Sequence, residues 1–166
     1  MKFSLVPKFS LKKLTDVTSD FLLSNKIKLL MLDLDNTIAP YGEHEPTMEV
    51  CEWVERMKAA GRELYIVSNS KRPGRTEQFA KLLNIGYIKA AGKPSPRALL
   101  KVMGIKGILP ENCALAGDQI FTDTIAANCA GVTSILVYPI KFTNIFLRIR
   151  YWAEIPFRAL CKNIME

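Results

Sequence analysis

The sequence predicts an α/β protein in three layers: a central parallel sheet covered by helices on both faces, with no inserted cap domain. Three observations lead there. Between residues 29 and 140, short apolar runs alternate with amphipathic stretches, and that alternation specifies parallel strands joined by helical crossovers. The first four apolar runs end in, or just before, polar residues able to do chemistry. The intervals between those residues are each consumed by one loop, one helix and one strand.

Taken in order, "KIKLLMLDLD" (26–35) reads as a buried strand. The helix in "EPTMEVCEWVERMKAAG" starts at Pro46 or Thr47 and stops at Gly61. Val50, Val54 and Met57 share one of its faces, with Cys51 and Trp53 nearby. "RELYIVSNS" is the next strand and "GRTEQFAKLLNIG" the next helix. "YIKAA" is a short strand. "SPRALLKVMGI" is a helix with Ser95 as N-cap and Pro96 in its first position. "ENCALAGD" is a further strand, "FTDTIAANCAG" a helix, and "VTSILVYPI" the last strand. In such a fold ligands bind beyond the carboxyl ends of the strands, near the topological switch point.

The chain has 166 residues, which suits one domain with its own core. No apolar run approaches the ~20 residues needed to span a bilayer. The opening "MKFSLVPKFSLKKL" has neither a signal-peptide core nor a transit-peptide pattern, so the expectation is a cytoplasmic protein. The four cysteines, 51, 113, 129 and 161, show no paired spacing and read as buried reduced thiols. A zinc site is disfavoured because His44 is the single histidine. Net charge is +7 and unevenly placed. Residues 1–28 carry +4 and residues 141–166 carry +3, whereas 29–140 sum to zero. The division is therefore a basic N-terminal segment (1–28) packing on the core, a neutral α/β body (29–140) and a basic amphipathic tail (141–166). A surplus confined to the ends points to an acidic partner surface, membrane or nucleic acid.

The first strand ends in Asp33-Leu34-Asp35-Asn36-Thr37 and the second in Ser68-Asn69-Ser70. Lys93 follows the third, in "AAGKPSP". The fourth ends in Gly117-Asp118, with Thr122 and Asp123 just inside the next helix. Carboxylates, a hydroxyl and an ammonium thus converge on one sheet edge, a combination a phosphate monoester needs. Asp33 supplies a carboxylate nucleophile, dividing hydrolysis into two displacements through an aspartyl-phosphate. Asp35 can protonate the leaving alkoxide and then activate water. Asp33, the backbone carbonyl of Asp35, and Asp118 offer hard oxygen ligands for Mg²⁺, which neutralises carboxylates and phosphoryl oxygens together. Ser68, Asn69 and Lys93 lie where phosphate is bound, and Lys93 and Ser68 are donors for the developing charge. Asp123 stands behind these groups to orient a metal-bound water or Lys93, and Thr37 supports the first motif.

The ordered set "DLDNT", "SNS", the lysine of "GKPSP" and "GDQIFTD" resembles the haloacid dehalogenase superfamily of aspartate-nucleophile phosphatases, spanning residues 33 to 123. That resemblance implies a Rossmann-like fold. An acid two residues after the nucleophile resembles the phosphatase and phosphomutase branches. From Asp33 to Ser68 is 35 residues and from Ser68 to Lys93 is 25, so neither usual cap site holds an insertion. The loop "IAPYGEHEP" (38–46) is the single lid candidate. Uncapped members act on large substrates or with a partner as the lid. Among these subfamilies (IIIA), "LDLDNTIAPYG", "IVSNS", "AGKPSPRAL" and "AGDQIFTDTIAAN" are most similar to the YqeG-like phosphatases, related to phosphatidylglycerophosphate phosphatases. The resemblance covers about residues 27 to 141 and implies dephosphorylation of phosphatidylglycerophosphate at a membrane surface. A phosphorylated protein, a nucleic-acid end or a small metabolite is the alternative substrate, and a non-catalytic scaffold of the same fold is a third reading.

The ends stay open between two readings. In the tail, Ile145, Ile149 and Trp152 form a stripe that Leu160 and Ile164 resume after Pro156. Basic residues beside these aromatics suit a helix in the headgroup region of a membrane, while the alternative is a helix packed on the sheet. Leu11, Leu14, Val17 and Phe21 form a similar stripe near the N-terminus. Lys71, Arg72 and Arg75 in "KRPGR" fall near the site mouth, where they would neutralise a second phosphate or simply be solvated. His44 in the short lid loop reads as a surface residue.

Overall fold

The computed structural model describes residues 3–142 and 145–163. Seven strands form one all-parallel sheet: β1 (Phe9–Leu11), β2 (Leu29–Leu32), β3 (Glu63–Val67), β4 (Gly86–Ile88), β5 (Cys113–Gly117), β6 (Thr133–Val137) and β7 (Lys162–Asn163). Their order is β4-β3-β2-β5-β6-β1-β7. From β2 the chain winds outward to β3 and β4, then returns to β5 on the other side of β2 and continues to β6. The switch point therefore lies between β2 and β5, where Leu32 faces Ala116 in register and the Asp33 N–H donates to the Ala116 carbonyl at 2.9 Å.

Alternation along the strands sorts the core into two halves, because successive side chains leave opposite faces of a pleated sheet. Leu30, Leu32, Leu64 and Ile66 pack on one side with Leu22 of α1 (Ser19–Ser24), Trp53, Val54 and Met57 of α2 (Met48–Ala59), and Phe79 and Leu83 of α3 (Arg75–Leu83). Leu29, Met31, Tyr65 and Val67 face the other side with Leu99 and Val102 of α4 (Arg97–Lys106) and Ala126 and Ala127 of α5 (Ile125–Ala130). The three-layer architecture and the absence of a cap are as the sequence predicts.

Local signals act as expected in most places. Thr47 caps α2, its hydroxyl accepting from the Val50 N–H at 3.3 Å. The start of α4 differs by one position: Pro96 occupies the cap and Arg97 is the first helical residue, while Ser95 Oγ accepts only a 3.4 Å bond from Arg97 N–H. The expectation of four buried thiols holds for Cys113 alone; Cys51, Cys129 and Cys161 are half-buried, at positions that reach the edge of the packed layers.

The N-terminal segment does more than pack on the body. Residues 9–11 enter the sheet as β1, parallel to β6. Leu11, Leu14 and Val17 of the N-terminal stripe are buried and Phe21 packs half-buried against the same cluster, and the Val17 carbonyl accepts the indole N–H of Trp53 at 2.8 Å. Three residues flanked by Pro7 and lysines are too short a run to announce a strand. The stripe is core. The tail forms α6 (Ile145–Arg158) and then β7, which pairs with β1; Ile164 lies outside the described residues.

Candidate active site

Asp33 and Asp35 follow β2, Ser68 and Asn69 follow β3, Lys93 follows β4, and Asp118 follows β5. All these strands run the same way, so their polar ends meet at one edge of the sheet. Asn36 adopts a left-handed conformation (φ 62°), which asparagine tolerates better than most residues. Its N–H donates to the Ala39 carbonyl at 2.7 Å, turning the chain sharply away after the second aspartate.

Lys93 is the electrostatic centre. Its Nζ lies 2.6 Å from Asp33 Oδ1 and 2.7 Å from Asp123 Oδ1, with all three side chains buried. Burial works against the ammonium, but Asp123 and Asp33 outweigh it and hold its pKa above the ordinary lysine value. Asp33 is pushed up to about 7, by burial first and then by Asp123 and Asp35 against the opposing pull of Lys93. Asp118 is raised well above the usual carboxylate range, by burial first and then by Asp33, Asp123 and Glu154.

Three buried carboxylates beside one ammonium leave a surplus of negative charge. One oxygen each from Asp33, Asp118 and Asp123 falls within 4.8 Å of the others, and Asp118 Oδ1 is buried with no hydrogen-bond partner. Hard, anionic oxygens converging with one left unsatisfied fit a divalent cation. Asp123 thus belongs to the carboxylate cluster itself as well as pairing with Lys93. A single π-helical turn, Ile120–Thr124, brings it back to the site, with the Asp123 N–H donating to the Gln119 carbonyl at 2.9 Å. Gly117 permits the approach, since a Cβ there would stand 2.3 Å from Asp123 Cγ.

Asp35 turns the other way. Its Oδ1 accepts from Arg75 Nε at 2.9 Å, and both side chains are buried. The same guanidinium donates to the carbonyls of Pro40 (2.9 Å) and Glu43 in the loop after the first motif. Arg75 is therefore withdrawn from the surface and ties Asp35 to the candidate lid. Of the "KRPGR" cations only Lys71 and Arg72 remain exposed at the mouth.

Asn69 has its amide engaged with the backbone of Lys93, donating to the carbonyl at 2.9 Å and accepting from the N–H at 3.0 Å. It braces the lysine as well as lining the cleft. Ser68 is fully buried, its hydroxyl accepting from the Ser70 N–H at 3.0 Å. Thr37 is buried beside Ile38, its N–H donating to the Leu34 carbonyl at 3.3 Å. His44 is exposed.

The cleft above Asp33 has a volume of about 420 Å³ and opens to solvent between Tyr41, Lys71, Arg72, Gln119 and Arg150. Sequence reasoning missed three of these. The Tyr41 hydroxyl bonds Gln119 and is pushed up to about 12, by burial and then by Asp35, Asp118 and Asp33. Arg150 reaches in from α6 and donates to Gln119 Oε1. Behind it, Glu154 of α6 is buried, and its Oε1 accepts from the N–H groups of Ile120 (2.8 Å) and Phe121 (3.2 Å). Arg158 pairs with Glu154 Oε2 at 2.9 Å and donates to the Asp118 carbonyl.

Strand-end acids with a paired lysine at the switch point of an uncapped α/β sheet make a site suited to a phosphate ester. Comparison with known proteins makes this specific. Residues 15–131 match the model of the haloacid dehalogenase-like hydrolases. The chain is 32% identical over 146 residues to the "Probable phosphatase YqeG" of Bacillus subtilis (strain 168), covering 88% of this chain and 84% of that protein. The chain belongs to the haloacid dehalogenase-like hydrolases, and its activity is that of a phosphatase. The same fold occurs in the cobalt-bound deoxy-D-mannose-octulosonate 8-phosphate phosphatase of Haemophilus influenzae, with TM-score 0.55, 14% identity and coverage of 76% and 75% of the two chains. It occurs again in the 3-deoxy-D-manno-octulosonate 8-phosphate phosphatase of Moraxella catarrhalis solved with magnesium and phosphate, with TM-score 0.52, 16% identity and coverage of 86% and 94%.

Proposed function

We propose that the protein is a Mg²⁺-dependent phosphatase of a lipid phosphomonoester, phosphatidylglycerophosphate, releasing phosphatidylglycerol and inorganic phosphate. The observation that carries the substrate class is the cleft mouth. Lys71, Arg72 and Arg150 surround the opening above Asp33 with no cap over them. A substrate with a terminal phosphate at Asp33 and a phosphodiester nearer the surface meets these cations with its second charge. Its acyl chains need not enter the protein.

Asp33 Oδ attacks phosphorus, forming the aspartyl-phosphate as the ester P–O bond breaks. Asp35, held by Arg75, gives a proton to the departing glycerol oxygen. It then takes one from the water that hydrolyses the acyl phosphate. Lys93 holds Asp33 in place and offsets its charge. Asp33, Asp118 and the Asp35 carbonyl, with Asp123 alongside, would hold Mg²⁺, which when bound neutralises the carboxylates and the phosphoryl oxygens together.

The test is phosphate release from phosphatidylglycerophosphate in mixed micelles, a 3′-phosphorylated oligonucleotide, a phosphopeptide and a small sugar phosphate, each with and without Mg²⁺. Turnover of the lipid, dependent on Mg²⁺ and lost by at least about 10³-fold in Asp33→Asn, is expected, because that substitution removes the nucleophile. Strong turnover of a soluble substrate with none of the lipid would overturn the assignment.

A further inference from the structure

Helix α6 is built inside out. The side chain it buries is a carboxylate, Glu154, 1% exposed. Its large apolar residues face solvent instead: Phe146 is 76% exposed and Trp152 69%, with Ile145 and Ile149 between them. At 100° per residue, Ile145, Ile149 and Trp152 fall within 60° of one another, and Phe146 widens the same stripe. Ile140 and Phe142, ahead of the helix, are exposed as well. The Phe142 ring packs on Tyr151 at 5.1 Å.

The helix is held in this orientation from its polar side. Glu154 accepts two backbone N–H groups and pairs with Arg158. Arg158 also bonds the Asp118 carbonyl and stacks over Tyr151 at 4.5 Å. Turning α6 to bury its apolar stripe would strip these partners from a buried ion pair and leave its charges uncompensated. The exposed stripe is therefore a fixed feature of the fold.

What borders the stripe is basic. Lys141 and Arg148 are exposed beside it, and Arg150 joins Lys71 and Arg72 at the cleft mouth. Lys12 is exposed on the same edge, its carbonyl bonded to the Tyr138 N–H. The one acid on α6 is Glu154, inside. A second copy of the chain would bring these cations against each other. An anionic lipid surface takes both components at once: aromatic and aliphatic groups in the headgroup region, cations on the phosphates. Among the described residues no helix is long and apolar enough to cross a membrane.

We propose that α6 is a membrane-docking helix, lying in the interface of an anionic bilayer with Ile145, Phe146, Ile149 and Trp152 inserted and the catalytic cleft facing the headgroups. The proposal stands on the helix alone and does not require that the lipid be the substrate.

The two tryptophans give a direct readout, because Trp53 is buried and Trp152 is not. On adding phosphatidylglycerol–phosphatidylcholine vesicles to the full chain, the Trp152 emission shifts to the blue and the protein sediments with the vesicles. Phosphatidylcholine alone binds at least ten-fold more weakly. The double variant Phe146→Ser, Ile149→Ser loses vesicle binding by ten-fold or more. Arg148→Glu loses several-fold at low salt and little at high salt. Both variants keep the wild-type melting temperature and the wild-type rate on a small soluble phosphomonoester, which separates failure to dock from failure of catalysis. Three results would overturn the proposal: no binding to anionic vesicles, binding undiminished in the double variant, or a solution dimer that the double variant dissociates.

Discussion

The two ends of this chain carry the same kind of sequence and have opposite fates. Each is basic and each has an apolar stripe at helical spacing. At the N-terminal end Leu11, Leu14 and Val17 are buried, β1 extends the sheet, and Lys13 and Thr15 both reach Glu49 of α2. At the C-terminal end the stripe of α6 faces solvent and the polar side faces the protein. Periodicity shows that a helix or segment has two faces. It does not say which face goes inward. That is decided by what the rest of the chain offers: an apolar groove beside β6 for one end, and free backbone N–H groups of a π-helical turn for the other.

The comparison can be broken most directly at the buried end. Leu22→Ala, on the buried face of α1, is expected to cost about 2–5 kcal/mol in chemical denaturation, as truncation of a fully buried leucine does. Glu154→Ala comes next, at about 3 kcal/mol, because it leaves Arg158 and two N–H groups without their acceptor. It is also expected to lower turnover, since those groups hold the loop that carries Asp118. Glu154→Gln, which keeps an acceptor oxygen, should recover part of both losses.

A measurement that touches neither end isolates the body. Asp33 is raised from 3.8 to about 7, so between those values the folded state keeps a proton that the unfolded chain releases. In metal-free buffer stability is therefore expected to fall as pH rises from about 4 to about 7. On the proposed function Mg²⁺ would compete with that proton, so its stabilising effect is expected to grow over the same interval. Melting temperatures with and without Mg²⁺ across this range check the sign. The smallest effect is expected at Ile149→Ser, within about 0.5 kcal/mol. A loss comparable to Leu22→Ala would mean that the α6 stripe is packed, and the contrast between the ends would collapse.

Asp33, Asp35, Asp118 and Lys93 were legible because they follow the ends of β2, β5 and β4, and parallel strands bring their carboxyl ends together whatever the loops do. Arg75 was not. In sequence it looks like one more cation in a solvated loop, and only the fold places it at the start of α3 pointing back at Asp35. Tyr41, Gln119 and Arg150 come from loops and from a helix that buries a glutamate, a residue that pattern reading assigns to solvent. Three-residue β1 and two-residue β7 fell below any length at which alternation can be seen.

Arg75 also bears on how the enzyme cycles. One guanidinium holds Asp35 and two carbonyls of the 38–46 loop in a single grip, so the segment best placed to act as a door is fastened to its frame. An enzyme with a swinging lid often waits on that lid to open before product can leave. A doorway pinned in this way is expected to set no such wait, leaving the tempo of turnover to chemistry and to the arrival and departure of the substrate itself.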